Sequence, residues 1–397
     1  MFGIDYLISP VDFEHFRQHH YGKKALLIPG DENKFADFFG WDEINHLARY
    51  SPLQGKSTKL VLDKQHLSLD RLEDFNHWIR KGATFAINHL QTKDPVVDKF
   101  ARILGAQLNT AVNINCYVSS PNKQGFDNHY DRHDVFIMHL EGVKQWKVFG
   151  QSEGHTYPLE CMQGEKGDPP DTEPYIECTM TPGDIMYIPR GHWHYALSDT
   201  PCMHLTVGPQ AKSPAMFLQW VVDKLMHGNE YFRKNFPIAE AGEFAGRRTD
   251  SELADYFREF QNTFSEMIKS DELRQQFEEY IMKMNWLSPV PNVVFPDQQT
   301  IHDTITEDTE FMLPVGQKVT LKYDEGNKRA HVQLRGFLVD LEDITEENLH
   351  AIFTGEPISG RTIMEACPDV PWENIKNALL SLTDRGVLTL VGKEDQA

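Results

Sequence analysis

The chain has 397 residues, of which 40% are hydrophobic and 11% aromatic, a composition that excludes wholesale disorder and allows two or three packed domains. Its 39 basic and 59 acidic side chains give a formal net charge of -20, which argues against a protein that binds nucleic acid through a broad positive field. The surplus of acid is compatible with a basic protein partner.

The scattered cysteines and the lack of long apolar runs predict the cellular compartment of the protein. Five cysteines are scattered without a CxxC pair, which predicts free thiols in a reducing compartment and no zinc finger. The first residues lack the basic flank and the apolar run of a secretory signal, and no later segment reaches about 18 consecutive apolar residues. We therefore expect a cytoplasmic protein without a membrane span.

Residues 1–110 mix helical and strand patterns. Residues 24–28 (KALLI), followed by Pro29, predict a short strand that ends in a turn. A helix is predicted after Asp94, because apolar residues recur there at helical spacing on one face. These apolar residues are Val97, Phe100 and Leu104.

From about residue 111 to 208 the sequence changes to short strands separated by turns. Polar and apolar side chains alternate along residues 113–119, and Gly142 marks a hairpin between two further strands. Several short antiparallel strands with regular turns predict a sandwich or barrel. The predicted strands cover residues 113–119, 134–140, 143–149, 185–188, 192–197 and 203–207.

The pattern becomes helical over residues 213–287, and Pro289 and Pro291 predict a linker. After the linker, two strands, three helical stretches and a final strand outline a winged-helix module. These elements are predicted at residues 318–323, 331–334, 346–353, 362–366, 372–383 and 387–391. The predicted class is α+β, with a barrel domain over 1–212, a helical region over 213–290 and a winged-helix-like domain over 291–397.

The winged-helix outline invites a DNA-binding interpretation, which the local charge contradicts. Residues 341–397 hold 4 basic and 11 acidic side chains. A helix that enters a DNA groove needs cations that contact the phosphates. We therefore predict a protein-docking or structural role without direct DNA binding.

The barrel region offers the ligands of a metal site. His129 and Asp131 are separated by one residue, so on an extended chain both side chains point to the same side. Two imidazoles and one carboxylate on one face leave an iron ion with three positions for a co-substrate and dioxygen. The third ligand would come from a distant strand, where His192 and His194 share a face and alternation does not choose between them.

Lys144 and two polar residues extend the candidate site. Lys144 shares its predicted strand face with Trp146 and Val148, which should point inward. Its ammonium would then need an anion, unless the side chain reaches water at the end of the strand. Asn115 and Tyr117 lie on the polar face of the preceding strand, where they would either present an amide and a phenol to a substrate or simply be solvated.

These residues resemble those of the JmjC ribosomal oxygenases, which are Fe(II)- and 2-oxoglutarate-dependent protein hydroxylases of the cupin superfamily. The motifs that carry the resemblance are residues 115–126 (NCYVSSPNKQGF), 129–131 (HYD), 140–146 (LEGVKQW) and 183–191 (GDIMYIPRG). The histidine three residues after Gly191 is His194, so the resemblance selects His194 over His192 as the third ligand.

The resemblance implies a double-stranded β-helix (jelly-roll) barrel, followed by a helical dimerisation region and a winged-helix domain. It implies that His129, Asp131 and His194 hold Fe(II) and form the catalytic centre, with 2-oxoglutarate and O2 as co-substrates. A homodimer that acts on a protein or peptide is the expected assembly.

By the same resemblance, Lys144 would bind 2-oxoglutarate with Thr206 assisting, and Asn115 and Tyr117 would line the substrate pocket. Two positions depart from the family pattern. Members that act on histidine carry a serine two residues after the threonine matching Thr206, where this chain has Gly208. The bacterial arginine hydroxylases carry arginine at the position of Lys144, so the target side chain stays open.

The predicted activity is hydroxylation of an amino-acid side chain in a protein, with a ribosomal protein as the first candidate. Three alternatives stay open. They are hydroxylation of another peptide, such as a ribosomally made natural-product precursor, N-methyl-lysine demethylation, and a non-catalytic barrel that binds metal or partners. Succinate release that depends on iron would separate the last alternative from the others.

Overall fold

A computed structural model of the chain describes most of the sequence. The described residues are 3–50, 58–62, 65–67, 75–121, 127–153, 156–159, 168–235, 250–285, 305–314, 317, 319–324, 329–334, 337–342, 350, 352–353, 356–366 and 368–391. They form two compact units, one comprising Met1–Ala211 with Trp286–Ala397 and the other comprising Lys212–Asn285. Residues 122–126 of the first family motif and the predicted linker at 289–291 lie outside the described residues.

The part of the first unit that precedes residue 212 is built mainly from antiparallel strands. In chain order, its described strands are β1 (Leu26–Ile28), β2 (Thr58–Leu62), β3 (Gln65–Leu67), β4 (Thr84–Ile87), β5 (Val112–Ser119), β6 (Val135–Glu141), β7 (Lys144–Val148), β8 (Ile176–Met180), β9 (Ile185–Ile188), β10 (His194–Ser198) and β11 (Cys202–Pro209). A larger sheet has the order β1-β9-β6-β11-β5-β4-β2-β3, and a smaller sheet has the order β10-β7-β8.

The two sheets face each other across an apolar core that both of them supply. Val135 and Ile137 of β6 and Met186 of β9 meet Trp146 and Val148 of β7 in this core. The opposite face of the larger sheet packs against the amino-terminal helices over a second core. Two facing antiparallel sheets with helices on one side confirm the predicted α+β class and the cupin-like sandwich.

Strand β5 shows why polar side chains line the inside of this sandwich. Ile114, Cys116 and Val118 are buried in the core that the amino-terminal helices cover. Because successive side chains of a strand point to opposite faces, Asn115 and Tyr117 are turned toward the smaller sheet. The alternation that the sequence predicts for this strand is confirmed by its burial pattern.

The helices of this part are α1 (Ile4–Ile8), α2 (Phe13–His19), α3 (Trp41–Tyr50), α4 (Phe75–Arg80) and α5 (Pro95–Leu108). The predicted helix after Asp94 is α5. The Asp94 side chain accepts hydrogen bonds from the N–H groups of Val96 and Val97 at 3.0 and 2.9 Å, which caps the helix. Pro95 occupies the first turn, where its missing N–H is not needed, and Asn109 ends the helix with a left-handed backbone (φ 50°).

Some strands differ from the predictions. β2, β3, β4 and β8 lie where the sequence analysis predicts no strand, although β8 alternates apolar and polar residues. The strand predicted at 192–197 begins at His194 instead. Gly191 has a left-handed backbone (φ 82°), and His192 N–H donates to Pro189 O at 3.2 Å, so the turn extends further than the alternation indicates.

The second unit is helical, as predicted for residues 213–287. Its helices are α6 (Pro214–Gly228), α7 (Asp250–Ile268) and α8 (Asp271–Asn285). Trp220, Val221 and Leu225 of α6 pack with Leu273 of α8 in its core. Among the helices in the described part of the chain, none combines the length and the hydropathy that a membrane span requires.

Helix α6 also carries an apolar stripe that is about half exposed. Leu218, Val222 and Met226 recur every fourth residue, which places them in a row on one side of the helix. Their exposed fractions are 50%, 51% and 45%. We refer to these three residues as the α6 stripe.

The described residues from 305 onward form a smaller group of strands and helices around a common core. Its elements are β12 (Glu310–Met312), β13 (Thr320–Asp324), β14 (Arg329–Leu334), β15 (Phe337–Glu342), β16 (Ile358–Ser359), α9 (Gly360–Ala366), α10 (Trp372–Asp384) and β17 (Thr389–Leu390). The sheet orders are β16-β12-β17 and β13-β14-β15. Both predicted strands and the last two predicted helices are present, while most of the helix predicted at 346–353 lies outside the described residues.

Candidate active site

The structure brings His129, Asp131 and His194 together. One imidazole nitrogen from each histidine and one carboxylate oxygen all lie within 4.8 Å of one another. His129 and Asp131 belong to the segment that leads into β6, and His194 is the first residue of β10. A backbone bridge joins the two segments, because His194 N–H donates to His129 O at 2.7 Å and His129 N–H donates to His194 O at 3.2 Å.

Hydrogen bonds fix which nitrogen of each imidazole is available to a metal. His129 Nδ1 lies 2.7 Å from Asp127 O, and His194 Nδ1 lies 3.0 Å from His192 O. A carbonyl oxygen only accepts, so each Nδ1 carries the proton and each Nε2 keeps its lone pair. His194 Nε2 lies 3.7 Å from Asp131 Oδ2. Two imidazole nitrogens and one carboxylate oxygen fit a mononuclear iron of the two-histidine, one-carboxylate type.

His192, the alternative third ligand, is bonded elsewhere. Its Nδ1 lies 2.7 Å from Tyr175 Oη, and its ring hydrogen-bonds the Phe149 backbone. Burial lowers the pKa of His192 to about 4, so the imidazole is neutral near pH 7. Because both ring nitrogens are engaged, the structure leaves His194 as the histidine of this turn that faces Asp131.

A cavity of about 240 Å³ adjoins the three candidate ligands. Its wall also contains Tyr117, Ser119, Lys144, Trp146, His204 and Thr206. The mixture of apolar surface and a few polar groups is typical of a small-molecule site, and the volume suits a small organic acid beside a metal.

Lys144 is buried in the wall of this cavity, on the same strand face as Trp146. It is 7% exposed, and its Nζ donates to Ser119 Oγ at 3.1 Å. The same nitrogen lies 5.7 Å from the centroid of the Trp146 ring. Burial lowers the pKa of Lys144, and none of the described carboxylates forms an ion pair with it. A desolvated ammonium in these surroundings fits an anion bound in the cavity.

Tyr117 and Asn115 lie at different depths. Tyr117 lines the cavity, and burial raises the pKa of its phenol, which therefore stays protonated. The Asn115 side chain lies behind it: its Oδ1 accepts from His89 N–H at 3.0 Å, and the amide hydrogen-bonds Tyr117. Asn115 is not part of the cavity wall, so its geometry is that of a support for Tyr117. Thr206, paired with Asn115 across β5 and β11, lines the cavity and is 9% exposed.

His204 is a cavity residue that the sequence analysis misses. It stacks on Tyr117 with ring centroids 5.1 Å apart and planes 10° apart, and it meets Trp146 edge-on with centroids 5.6 Å apart. Burial, and then the nearby Lys144, lower the pKa of His204 well below its usual value. A signal for it exists in the sequence, since His204 lies two residues before Thr206 on the same face of β11.

Gly208 continues that face of β11, and His133 occupies the space beside it. A Cβ placed on Gly208 would lie 2.6 Å from Cδ2 and 2.7 Å from Nε2 of His133. Contacts this short are repulsive, so a side chain at position 208 and the present position of the His133 ring exclude each other. The departure from the family pattern at Gly208 is therefore coupled to a second residue, which lies two positions after Asp131.

A mononuclear metal centre inside a cupin-like barrel is the class of protein that these features define. Comparison with known sequences leads to the family. Residues 87–217 match the family model described as a JmjC domain. This range contains the candidate metal ligands, the buried lysine and every other residue that the sequence analysis assigns to the site.

Several curated proteins are similar to the chain. The bifunctional lysine-specific demethylase and histidyl-hydroxylase NO66 of Dictyostelium discoideum is 29% identical over 212 residues, which cover 51% of this chain and 41% of that protein. Ribosomal oxygenase 1 of Rattus norvegicus is 25% identical over 255 residues, 59% of this chain and 42% of that protein. The uncharacterized protein YxbC of Bacillus subtilis (strain 168) is 27% identical over 290 residues, 66% of this chain and 86% of that protein. The chain thus spans less than half the length of the first two relatives.

A solved structure shares the fold over nearly the whole chain. YcfD, a ribosomal oxygenase from Escherichia coli in complex with cobalt and 2-oxoglutarate, matches with a TM-score of 0.60 and 18% identity, covering 96% of this chain and 99% of that one. At this identity the likeness concerns the fold alone. The domain match and the relatives agree: residues 87–217 form a JmjC domain, and the chain is similar to the ribosomal oxygenases over about half of its length.

Proposed function

We propose that the chain is an Fe(II)- and 2-oxoglutarate-dependent oxygenase that hydroxylates an amino-acid side chain in a protein. One observation carries the proposal: a metal-ligand set of two imidazoles and one carboxylate shares its cavity with the buried ammonium of Lys144, which has no carboxylate partner among the described residues. A non-catalytic barrel needs neither feature. The names of the ribosomal oxygenases and the YcfD complex with cobalt and 2-oxoglutarate support the same chemistry.

In this proposal His129, Asp131 and His194 hold the iron through two nitrogens and one oxygen. Lys144 forms an ion pair with the distal carboxylate of 2-oxoglutarate, and Thr206 donates a hydrogen bond to it. When bound, iron, 2-oxoglutarate and O2 supply the oxidising chemistry, with succinate and carbon dioxide as the by-products of hydroxylation. The apolar core behind the cavity restricts access of water to these groups.

The target side chain would enter beside Tyr117, whose phenol lines the cavity and stays protonated. Asn115 fixes the orientation of that phenol from behind. At Gly208, where family members acting on histidine carry a serine, the adjoining polar group is the imidazole of His133. The absence of that serine hydroxyl supports a target other than the one that the serine selects.

Intact-mass analysis of ribosomal proteins tests the reaction and the substrate together. Ribosomes are compared from cells with the gene, cells without it, and deletion cells complemented with the Asp131→Ala variant. We expect one ribosomal protein to lack the mass of one oxygen atom in the second and third samples. Identical masses in all three samples would contradict a ribosomal substrate, and iron-dependent succinate release by the purified protein tests the oxygenase chemistry separately.

Demethylation of N-methyl-lysine is a second candidate, because the Dictyostelium relative is named as a lysine-specific demethylase as well as a hydroxylase. Hydroxylation of an N-methyl carbon releases formaldehyde, so formaldehyde and a mass loss in a methylated peptide would identify this reaction. Another peptide, such as a ribosomally made natural-product precursor, is a further candidate, supported by the departure at Gly208. Peptides encoded near the gene are then the samples for mass analysis.

The rest of the chain serves assembly and docking in this proposal. Residues 213–290 form the dimerisation region of a homodimer, supported by the α6 stripe, whose apolar side chains are about half exposed. Residues 291–397 form a winged-helix-like domain, supported by the order of β12, α9, α10 and β17. Its acidic balance supports contact with protein and not with DNA.

A further inference from the structure

Tyr175, which is 37% exposed, and the buried His192 lie outside the metal set and hold the turn that carries His194. Tyr175 Oη accepts a hydrogen bond from Ala25 N–H at 3.1 Å and lies 2.7 Å from His192 Nδ1. The Phe149 backbone carbonyl accepts a hydrogen bond from the other ring nitrogen of His192, so in the neutral imidazole Nδ1 accepts the proton of the Tyr175 hydroxyl. Both imidazole nitrogens are thus engaged, and the orientation of the ring is fixed.

The backbone of His192 acts directly on the metal ligand. His192 O accepts the hydrogen bond from His194 Nδ1 at 3.0 Å, which leaves His194 Nε2 facing Asp131. The two neighbouring histidines therefore have opposite tautomers, with the proton on Nε2 in His192 and on Nδ1 in His194. They are 8% and 3% exposed, so water is poorly placed to replace a lost partner.

Other contacts of the turn hold the peptides on either side of this carbonyl. Gly191 N–H donates to Asp131 O at 2.9 Å, and Trp193 O accepts from Phe149 N–H at 2.7 Å. Gly191 has no side chain with which to anchor its left-handed backbone (φ 82°). The peptide of the bonded carbonyl is also held by Trp193 N–H, which donates to Gly150 O at 3.4 Å, and the side chains at both of its ends, His192 and Trp193, are hydrogen-bonded.

We propose that Tyr175 and His192 are positioning residues of the metal centre. Through the His192 carbonyl they set the tautomer and direction of His194. Through Ala25, which leads into β1, they link the amino-terminal strand to the affinity for metal. The inference rests on the proposed function in taking the three ligands as a metal site, and it adds two residues that do not touch the metal.

Cobalt(II) binding to the purified full-length protein tests the inference, with the visible absorption spectrum of the bound ion as a second readout. Tyr175→Phe removes one hydroxyl and keeps the ring. We expect its Co(II) affinity to fall about tenfold or more, as for other residues that orient metal ligands, and the spectrum to change. Tyr6→Phe is the matched control, because Tyr6 Oη donates to Lys34 O at 2.7 Å elsewhere in the same unit. Its affinity and spectrum should equal those of the parent.

Substitutions at His192 provide an independent comparison. In His192→Asn, the amide oxygen can still accept from Tyr175, whereas His192→Leu leaves that hydroxyl without an acceptor. We expect the asparagine variant to bind Co(II) more tightly than the leucine variant. If Tyr175→Phe does not fold, the comparison of the two His192 variants still tests the inference.

Three results would overturn the inference. They are a Tyr175→Phe variant with parental affinity and spectrum, an equal loss in Tyr6→Phe, and equal affinities of the two His192 variants. Thermal unfolding without metal shows whether each variant is folded. Failure of the parent protein to bind Co(II) would instead contradict the proposed function, so the two failures are distinguishable.

Discussion

At the scale of single residues, Asp131 contributes to the candidate site through both its side chain and its backbone. Its carboxylate joins the metal set, and its carbonyl accepts from Gly191 N–H at 2.9 Å, which fastens the turn before His194. The side chain is 31% exposed, whereas that of His194 is 4% exposed. Removing the carboxylate therefore removes a candidate metal ligand and leaves the backbone contact and the buried core in place.

We expect Asp131→Ala, and likewise His129→Ala, to abolish turnover while the fold survives. Two remaining protein ligands do not hold iron in the geometry that oxygen activation needs. Iron-dependent succinate release measures turnover, and circular dichroism and thermal unfolding measure the fold. Asp171→Ala, at an exposed position away from the triad, is the matched control and should be fully active. Normal turnover by a folded Asp131→Ala protein would refute the assignment of the metal site.

Lys144→Met should weaken the binding of 2-oxoglutarate by at least about tenfold, because the variant keeps the volume of the side chain and loses its charge. The same substitution should make the folded protein more stable. Replacing a buried charge by an apolar group of similar volume is expected to raise the free energy of unfolding by about 1 kcal/mol. Lys147→Met is the control on the same strand, since Lys147 is one-third exposed and pairs with Glu177 at 2.9 Å.

Isothermal titration calorimetry of the manganese-loaded proteins measures the affinity for 2-oxoglutarate, and urea unfolding of the metal-free proteins measures stability. Unchanged affinity in Lys144→Met, or an equal loss in Lys147→Met, would remove the anchoring role of Lys144. The control should bind 2-oxoglutarate like the parent.

At the scale of elements, periodicity predicts which face of a strand a residue occupies and little about turns. Alternation along β7 correctly places Lys144 inside the barrel, and the spacing of His129 and Asp131 predicts their meeting. Along β5 alternation separates Tyr117 from the apolar face, but it leaves open whether the polar face is solvated or lines a pocket. It does not distinguish His192 from His194, because that choice depends on a left-handed glycine and on hydrogen bonds to distant residues. Alternation also does not predict that Asn115 supports Tyr117. That role depends on a hydrogen bond from the His89 backbone, which is distant in sequence.

The α6 stripe can be tested as a dimer interface by substitution. A glutamate introduced by Leu218→Glu or Val222→Glu would bring charge into the proposed apolar interface, so we expect the proposed homodimer to dissociate into monomers. Sedimentation velocity measures the oligomeric state. Tyr50→Glu is the control, because Tyr50 is 74% exposed outside the second unit and its replacement should leave the dimer intact. A monomeric parent protein, or dimeric stripe variants, would contradict the proposed interface.

For the molecule as a whole, three buried histidines make stability sensitive to acid. His139, His192 and His204 are 0%, 8% and 4% exposed, and burial lowers the pKa of each. A histidine whose pKa is lower in the folded state binds fewer protons there than in the unfolded chain. The free energy of unfolding therefore falls as the pH is lowered through this range.

His139 allows a quantitative prediction, because burial lowers its pKa from 6.5 to about 4. That difference corresponds to about 3 kcal/mol of stability, present above pH 6.5 and lost as the pH falls to 4. In His139→Gln, the amide can still donate to Gly142 O and has no proton to gain, so its stability should decline less. Urea unfolding between pH 4 and 6.5 measures this, with the exposed His46→Gln as the control. Parallel pH profiles for all three proteins would contradict the prediction.

The contact between Gly208 and His133 bears on how selectivity would be re-engineered on the β11 face that also carries Thr206. A Cβ at position 208 would lie 2.6 Å from Cδ2 of the His133 ring. The residues at positions 208 and 133 must therefore be chosen together. A library that randomises position 208 alone would return mainly proteins in which His133 has been displaced, and their altered selectivity would be credited to the wrong residue. Randomising both positions together samples the pocket shapes that the barrel can hold, including a serine at 208 beside a small residue at 133.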